Sequence, residues 1–154
     1  MTVRSLGKDL ANRIHAGWLN AHGFKKSGAT FSRERVGYIE RYQIDGSRWN
    51  SGEEPWEFDV NVGVQFEGIP LREAKGLWAK AHAIGGLSRI IDEAPVSFSV
   101  AASTLEAVSE AVALQILKAS EQLPYIVGPA KDRAVAGLLS PLPVPSTWSS
   151  GVAT

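Results

Sequence analysis

The stretch Phe58-Asp59-Val60-Asn61-Val62-Gly63-Val64-Gln65-Phe66 decides the fold class of this chain. Apolar side chains alternate strictly with polar or small ones along it, and a period of two predicts a β-strand. We expect Phe58, Val60, Val62, Val64 and Phe66 to form a buried face. The other face then carries the polar groups and Gly63.

Two segments before this strand predict a hairpin. They run over residues 29–35 and 37–48, with a turn near Val36. Further upstream, apolar side chains at helical spacing predict an amphipathic helix over residues 2–22. Gly23 ends this helix because glycine enters the left-handed region without steric cost. The apolar stripe of the helix consists of Val3, Leu6, Leu10, Ile14 and Trp18.

The second half of the chain carries start and stop signals for further elements. Pro70 is tolerated in the first turn of a helix. Ser103-x-x-Glu106 matches a capping box, and Pro124 interrupts helical hydrogen bonding. The predicted elements are a helix over 70–81, a break at Gly85-Gly86, strands over 87–91 and 96–100, a helix over 103–123 and a short helix over 131–139.

The order of helix, antiparallel strands and helices predicts an α+β fold. We expect a single domain over residues 1–140, with a mostly antiparallel sheet of about five strands. The N-terminal helix and the C-terminal helices pack on one face of that sheet. Residues 141–154 are rich in proline and serine and predict a C-terminal tail, in which Trp148 is the residue able to anchor it.

Composition limits the classes of function. The 154 residues include 16 basic and 16 acidic side chains and no cysteine, which excludes disulfide frameworks and thiolate metal sites. A neutral chain has no general attraction to nucleic acid or to anionic membranes. Residues 1–50 are net basic and residues 51–110 net acidic, which we interpret as two segments that pack together. The sequence shows no signal peptide and no transmembrane run, so we expect a cytoplasmic protein.

No strong catalytic motif occurs in the sequence. It has no Walker loop, no G-x-G-x-x-G, no G-x-S-x-G and no H-E-x-x-H. His15, His22 and His82 are not spaced as a metal pair. We therefore predict no metal, no cofactor and no catalytic residues.

The polar face of the 58–66 strand is the first candidate binding surface. Asp59 and Asn61 lie on the same side, and a neighbouring strand could add Arg41 and Gln43. Together they offer a carboxylate, two amides and a guanidinium for polar recognition. The simpler interpretation is a solvent-facing side of the sheet with cross-strand ion pairs.

The loop Ser47-Arg48-Trp49-Asn50-Ser51 is the second candidate. An Arg–Trp pair beside hydroxyl and amide groups suits a carboxylate, a phosphate or a protein partner. The alternative is structural, with Trp49 covering the sheet edge and Arg48 stacking on it or pairing with Glu53 or Glu54. The candidate binding residues are Arg41, Ser47, Arg48, Trp49, Asp59 and Asn61.

A nucleic-acid surface is a weaker interpretation of the hairpin. Its cations and aromatic side chains could contact RNA, but Phe31 and Tyr42 occupy positions expected to face the core. Asp45 and Asp59 would repel phosphates. The residues concerned are Lys25, Lys26, Arg33, Arg35, Phe31, Tyr38 and Tyr42.

Three short motifs resemble a known bacterial family, the domain-of-unknown-function 4304 family. The run Gly23-Phe24-Lys25-Lys26-Ser27-Gly28-Ala29-Thr30-Phe31 resembles its "GFKKxGxTF" opening. Residues 47–51 resemble its "SxW" stretch, and residues 58–64 resemble its "FxVNxGV" strand. The similarity spans roughly Leu10 to Val100. Because the family has no assigned activity, the resemblance implies a fold and an order of elements but no catalytic residues.

These observations predict a non-catalytic binding or interaction module, with a protein or a small polar ligand as its partner. By analogy with other small neutral bacterial domains, an immunity-type protein is one form of this prediction. The first alternative is a small hydrolase or transferase that uses Asp59 as general base and Arg41 or Arg48 to hold an anion. The second alternative is an RNA-binding module. The sequence predicts no membrane partner and leaves the oligomeric state open.

Overall fold

The N-terminal helix follows the predicted amphipathic stripe. The computed structural model describes residues 3–148 and places helix α1 at Val3–Ile14. A π-helical turn, His15–Leu19, and a 3-10 turn, Asn20–His22, extend it. Gly23 then ends the helical segment with φ at 84°, as predicted. Residue 2 and the side chain of Val3, both included in the predicted helix, lie outside what the structure describes.

A mostly antiparallel sheet forms the centre of the α+β fold. The described part of the chain contributes seven strands to it, where the sequence predicted about five. The order is β1-β2-β3-β4-β5-β7, and β6 pairs with the first residues of β4. Among the described strands, only β5 and β7 run parallel. The strands are β1 Lys25–Ser27, β2 Thr30–Arg35, β3 Tyr38–Gly46, β4 Trp56–Phe66, β5 Ala83–Gly86, β6 Phe98–Val100 and β7 Ser140–Pro141.

Strand β4 confirms the alternation that defined the fold class. Its five apolar side chains at Phe58, Val60, Val62, Val64 and Phe66 are each at most 2% exposed. The hairpin between β2 and β3 also turns at the predicted position, near Val36. On the opposite face Gly63 is buried as well, because Leu77 and Ala81 lie directly over it.

The long helix α3, Leu105–Val135, packs against α1 and the sheet. The predicted end at Pro124 is wrong, and the predicted helix over 131–139 is largely the continuation of α3. Pro124 has no N–H for the carbonyl of Ser120, four residues earlier. Arg35 on β2 supplies a donor instead, with its Nη1 3.3 Å from that carbonyl oxygen.

The start of α3 differs from the predicted capping box. Thr104, rather than Ser103, is the N-cap residue, and its Oγ1 accepts a hydrogen bond from the backbone N–H of Ala101 at 2.9 Å. Glu106 does not reach back to the cap. It forms an ion pair with Arg13 on α1 at 2.7 Å, which joins the two helices.

Residues 70–91 contain the largest errors of the sequence-based prediction. The predicted helix over 70–81 is only a 3-10 turn, Gly76–Lys80, and the predicted break at Gly85-Gly86 lies in strand β5. The predicted strand over 87–91 is a helical turn, α2, at Leu87–Ile90. A Cβ atom on Gly85 would clash with the carbonyl oxygen of Leu142, so this strand needs glycine where another backbone passes closely.

The chain after α3 returns to the sheet. Ser140–Pro141 forms β7 beside β5, and Leu142 is fully buried in the core. Trp148 is 46% exposed, and the guanidinium of Arg133 lies 5.0 Å from its ring centroid. Residues 149–154 of the predicted tail lie outside the described residues. No helix within residues 3–148 is long and apolar enough to cross a membrane.

Candidate functional site

The loop between β3 and β4 has a rigid base. Trp56 stacks on Phe58, with ring centroids 5.4 Å apart, and Phe58 in turn stacks on Phe98 of β6. Gly7 and Gly46 pack directly against the indole ring of Trp56. A Cβ atom at either position would come within 2.9 Å (Gly7) or 2.6 Å (Gly46) of the ring. The aromatic stack therefore fixes the point at which the loop leaves the sheet.

Hydrogen bonds also order the first half of the loop. The side-chain amide of Asn50 donates to the Glu57 carbonyl at 2.8 Å, and its Oδ1 accepts from the Glu57 N–H at 2.9 Å. The Ser47 hydroxyl accepts from the backbone N–H of Trp49 at 3.1 Å. On the far side of the loop, Glu54 accepts from the N–H of Ala102. The candidate residue Ser47 thus acts as a local turn residue.

Arg48 and Trp49 project from this ordered loop. Trp49 is 80% exposed, and the guanidinium carbon of Arg48 lies 4.8 Å from its ring centroid. Of the two structural alternatives for this pair, Arg48 does stack on Trp49, but Trp49 does not cover the sheet edge. None of the ion pairs formed within residues 3–148 joins Arg48 to Glu53 or Glu54.

The polar face of the sheet does not gather its predicted site residues at one point. Register pairs Arg41 with Gly63, Asn61 with Gln43, and Asp59 with Asp45. Asp59 is therefore four residues along β4 from the position opposite Arg41, which is about 13 Å. Asp59 is exposed, and it lines none of the cavities described below. This geometry gives no support to Asp59 as a general base beside Arg41.

Arg41 itself is half-buried between the sheet and the 3-10 turn Gly76–Lys80. Its Nη1 donates to Oε1 of Gln65 at 2.7 Å and to the backbone carbonyl of Lys80 at 2.6 Å. Both acceptors are neutral, and burial lowers the pKa of Arg41. The side chain borders two hollows, of about 340 and 550 Å³.

The opposite face holds a charged cluster that sequence reasoning missed. Glu40 is fully buried on β3, where Oε2 accepts from Arg33 at 3.3 Å and from Arg35 at 2.8 Å. Tyr42 donates to Oε1 at 2.6 Å. Both arginines also donate to the Ser120 hydroxyl of α3, at 2.5 and 2.9 Å. We call these five residues the Glu40 cluster.

A signal for the Glu40 cluster was present in the sequence. Glu40 occupies an apolar position in the period-two pattern of β3, between Tyr38 and Tyr42. Arg33 and Arg35 have matching parity on β2, so the hairpin register places all these side chains on one face. A carboxylate at a core position with two cations opposite it predicts a buried ion network.

The structure also does not support a nucleic-acid-binding surface on the hairpin. Phe31 and Tyr42 are fully buried, as predicted, and Tyr38 is 8% exposed, so their rings are not available to stack on bases. Arg33 and Arg35 are engaged with Glu40. The hairpin thus directs most of its aromatic and basic side chains to the core.

The histidines have structural contacts. His15 lies 2.8 Å from the carbonyl of Phe24. His82 is buried, with Nδ1 accepting from the Phe66 N–H at 2.9 Å and Nε2 directed at the Pro70 carbonyl at 3.1 Å. Within residues 3–148, no group of three or more His, Asp or Glu side chains could hold a metal ion.

Comparison with known proteins identifies the family. Neither curated proteins nor solved structures gave a match. A family model described as a domain of unknown function, DUF4304, matches residues 16–119, which is about two thirds of the chain. The match contains β1 to β6, the Arg48–Trp49 loop and the Glu40 side of the hairpin, and it ends within α3. This chain is a member of the DUF4304 family.

Proposed function

We propose that this chain is a non-catalytic binding module that recognises a protein partner through the Arg48–Trp49 loop. The observation that carries the proposal is an indole ring left 80% exposed on a loop whose base and first turn are both fixed. Tryptophan and arginine are the residue types that most often dominate protein interfaces. A preordered loop also loses less conformational entropy when it binds.

The Arg48–Trp49 pair suits a partner surface that is apolar at its centre and acidic at its rim. Burying the exposed indole removes a large apolar area from water. The guanidinium above the ring remains able to bind a carboxylate of the partner. A toxin bound by an immunity-type protein is one form of such a partner.

We also propose that the protein acts in the bacterial cytoplasm. The chain has no cysteine, so no part of its stability depends on an oxidising compartment. The hydrolase and RNA-binding alternatives are not carried forward, since no observation on Asp59 or on the hairpin favours them.

The test uses a second Arg–Trp pair as its matched control. Partner proteins captured from the native host are purified, and their affinity for three chains is measured by calorimetry. The chains are the wild type, Arg48→Ala with Trp49→Ala, and Arg133→Ala with Trp148→Ala. The control pair has a similar cation–π contact, at 5.0 Å, on the returning C-terminal segment.

We expect the Arg48/Trp49 variant to bind about 30-fold more weakly or not at all, because truncation of a hot-spot residue costs at least about 2 kcal/mol. The Arg133/Trp148 variant should bind as the wild type does. Equal affinities for the wild type and the Arg48/Trp49 variant would refute the proposal. Circular dichroism of each variant confirms that the comparison is made between folded proteins.

A further inference from the structure

We propose that the 340 Å³ hollow beside Arg41 is a binding site for the carboxylate or phosphate group of a small molecule. The hollow lies between strands β1 to β3 and the 3-10 turn Gly76–Lys80. It is distinct from the Arg48–Trp49 loop, and none of its lining residues belongs to that loop. Its polar side chains are those of Ser27, Thr30, Ser32, Arg41, Gln43 and Lys80.

Strand register brings the hydroxyl groups of this hollow together. Ser27 pairs with Thr30, and Thr30 pairs with Gln43 on the next strand. Ser32 pairs with Arg41 two residues further along. Because paired residues project on the same side of a sheet, these side chains form two adjacent rows on the polar face. The rows offer hydroxyl, amide and guanidinium donors within one small volume.

The charges around the hollow favour an anion. Among the residues that the structure describes, its lining includes two cations, Arg41 and Lys80, and no carboxylate. None of the ion pairs within residues 3–148 involves Arg41. Its described hydrogen bonds go to two neutral oxygens, those of Gln65 and the Lys80 backbone. A half-buried guanidinium without a counter-charge bears a desolvation cost that a bound anion would offset.

The chemistry of the donors defines the class of ligand. A guanidinium matches the oxygens of a carboxylate or phosphate, and serine and threonine hydroxyls add single hydrogen bonds to the same oxygens. The volume of 340 Å³ is near the lower end of the range for small-molecule pockets, about 300–1,000 Å³. A small oxyanion-bearing molecule therefore fits better than a macromolecule.

A neighbouring hollow limits where the anion can lie. It shares Ser32 and Arg41 with the first hollow but also contains Glu34, whose carboxylate would repel an anion. Lys25 and Arg33 line that second hollow as well, and Arg33 is already paired with Glu40. The proposal therefore assigns the oxyanion to the Thr30 and Lys80 side of Arg41.

The experiment is a titration of the full-length ¹⁵N-labelled chain with inorganic phosphate, followed by amide chemical shifts. Sodium acetate is titrated in parallel, and sodium chloride at equal ionic strength serves as the control for screening. We expect saturable shifts at the amides of Ser32, Arg41 and Lys80 with phosphate, acetate or both. The anion that binds more tightly identifies phosphate or carboxylate as the recognised group.

Variants assign the effect to the hollow. Arg41→Gln should weaken binding by about 10-fold or more, because a charge-assisted hydrogen bond is lost. Arg89→Gln removes the same charge from an exposed position outside both the hollow and the Arg48–Trp49 loop and should leave the affinity unchanged. If Arg41→Gln does not fold, Thr30→Val and Ser32→Ala test the hydroxyl rows in its place, and each should weaken binding severalfold.

Three results would overturn the proposal. They are the absence of saturable shifts with either oxyanion, equal shifts with chloride, and unchanged affinity in the hollow variants. Because Arg48 and Trp49 take no part in this site, loss of the proposed partner binding and loss of anion binding are separate outcomes.

Discussion

Arginine side chains on the two faces of the sheet have different partners. On the face covered by α3, Arg33 and Arg35 share the fully buried carboxylate of Glu40. The Glu40 hydrogen bond raises the pKa of Arg35. On the other face, Arg41 is also partly buried, but its described hydrogen bonds go to neutral oxygens, and burial lowers its pKa. The comparison indicates that one face uses its charges to hold the fold and the other leaves a charge available.

The Glu40 cluster joins three parts of the chain. It connects the β2–β3 hairpin to the middle of α3 through Ser120, and Arg33 reaches the carbonyl of His22 at the end of the N-terminal helical segment. Arg33 also lies 4.5 Å from the ring centroid of Phe24. Removal of the central carboxylate therefore affects both helices and the sheet.

The largest expected effect is that of Glu40→Gln. Loss of the buried negative charge leaves two guanidinium groups without their counter-charge. Removing one partner of a fully buried ion pair costs about 3–5 kcal/mol. Because Arg33 and Arg35 remain about a quarter exposed, we expect a loss of about 2–4 kcal/mol in the free energy of unfolding. Urea denaturation measures it.

The control for this change is Glu34→Gln on the same hairpin. Glu34 is exposed and forms none of the described ion pairs. Its substitution should alter the free energy of unfolding by no more than about 0.5 kcal/mol. Similar losses in the two variants would show that the Glu40 cluster has no special role.

The next largest effect is expected for Tyr42→Phe. This substitution removes the hydroxyl that donates to Oε1 of Glu40 and keeps the ring in the core. A hydrogen bond to a charged group contributes about 1.5–3 kcal/mol. We expect a loss in this range at neutral pH, measured by urea denaturation. A neutral result would mean that Glu40 is satisfied by the arginines alone.

The raised pKa of Tyr42 predicts that the stability of the fold decreases at alkaline pH. Burial, with the neighbouring Glu40 charge, raises its pKa well above the ordinary value of 10.0. Above pH 10 the unfolded chain loses this proton while the folded chain retains it, so stability falls as pH rises. In Tyr42→Phe the fall should be shallower, as followed by melting temperature from pH 8 to about 11. Tyr38, whose pKa is also raised by burial, is present in both proteins.

A smaller effect is expected for Arg41→Gln on the open face. The variant loses two hydrogen bonds to neutral oxygens but leaves no buried charge behind. We expect a loss of about 0.5–1.5 kcal/mol in the free energy of unfolding. A loss as large as that of Glu40→Gln would contradict the distinction between the two faces.

The smallest effect on stability is expected for Trp49→Ala. The side chain is 80% exposed and its ring lies beside Arg48, so the free energy of unfolding should change by no more than about 0.5 kcal/mol. Thermal unfolding provides the measurement. A clear loss of stability would mean that Trp49 covers part of the fold rather than being available for a partner.

Local patterns in the sequence predict those elements in which the geometry of a single strand or helix decides which side chains are buried. The alternation in residues 58–66 buries its five apolar side chains, and the helical stripe buries Leu6, Leu10 and Ile14, whereas Trp18 is only partly buried. Both patterns follow from the geometry of a single element, so they are readable without knowledge of its neighbours.

Predictions failed where a distant segment decides the local structure. Pro124 lies inside α3, where Arg35 on β2 donates to the carbonyl that proline leaves without a partner. Gly85 lies in a strand because Leu142 approaches its backbone. The two proposed sites show the same limit. Arg48 and Trp49 are adjacent in the sequence, so the pair could be identified without the structure. The hollow at Arg41 depends on how the turn Gly76–Lys80 lies over the sheet.

The returning segment at β7 has a consequence for aggregation. The family match ends at residue 119, within α3, and β7 follows it in the chain. A chain cut at that residue would expose the backbone N–H and C=O groups of β5 and would remove Leu123 and Leu142 from the core. Unpaired edges of this kind join other molecules. Because Pro141 has no N–H to donate, the β7 edge is a poor template for a further strand, and we expect the last part of the chain to disfavour self-association.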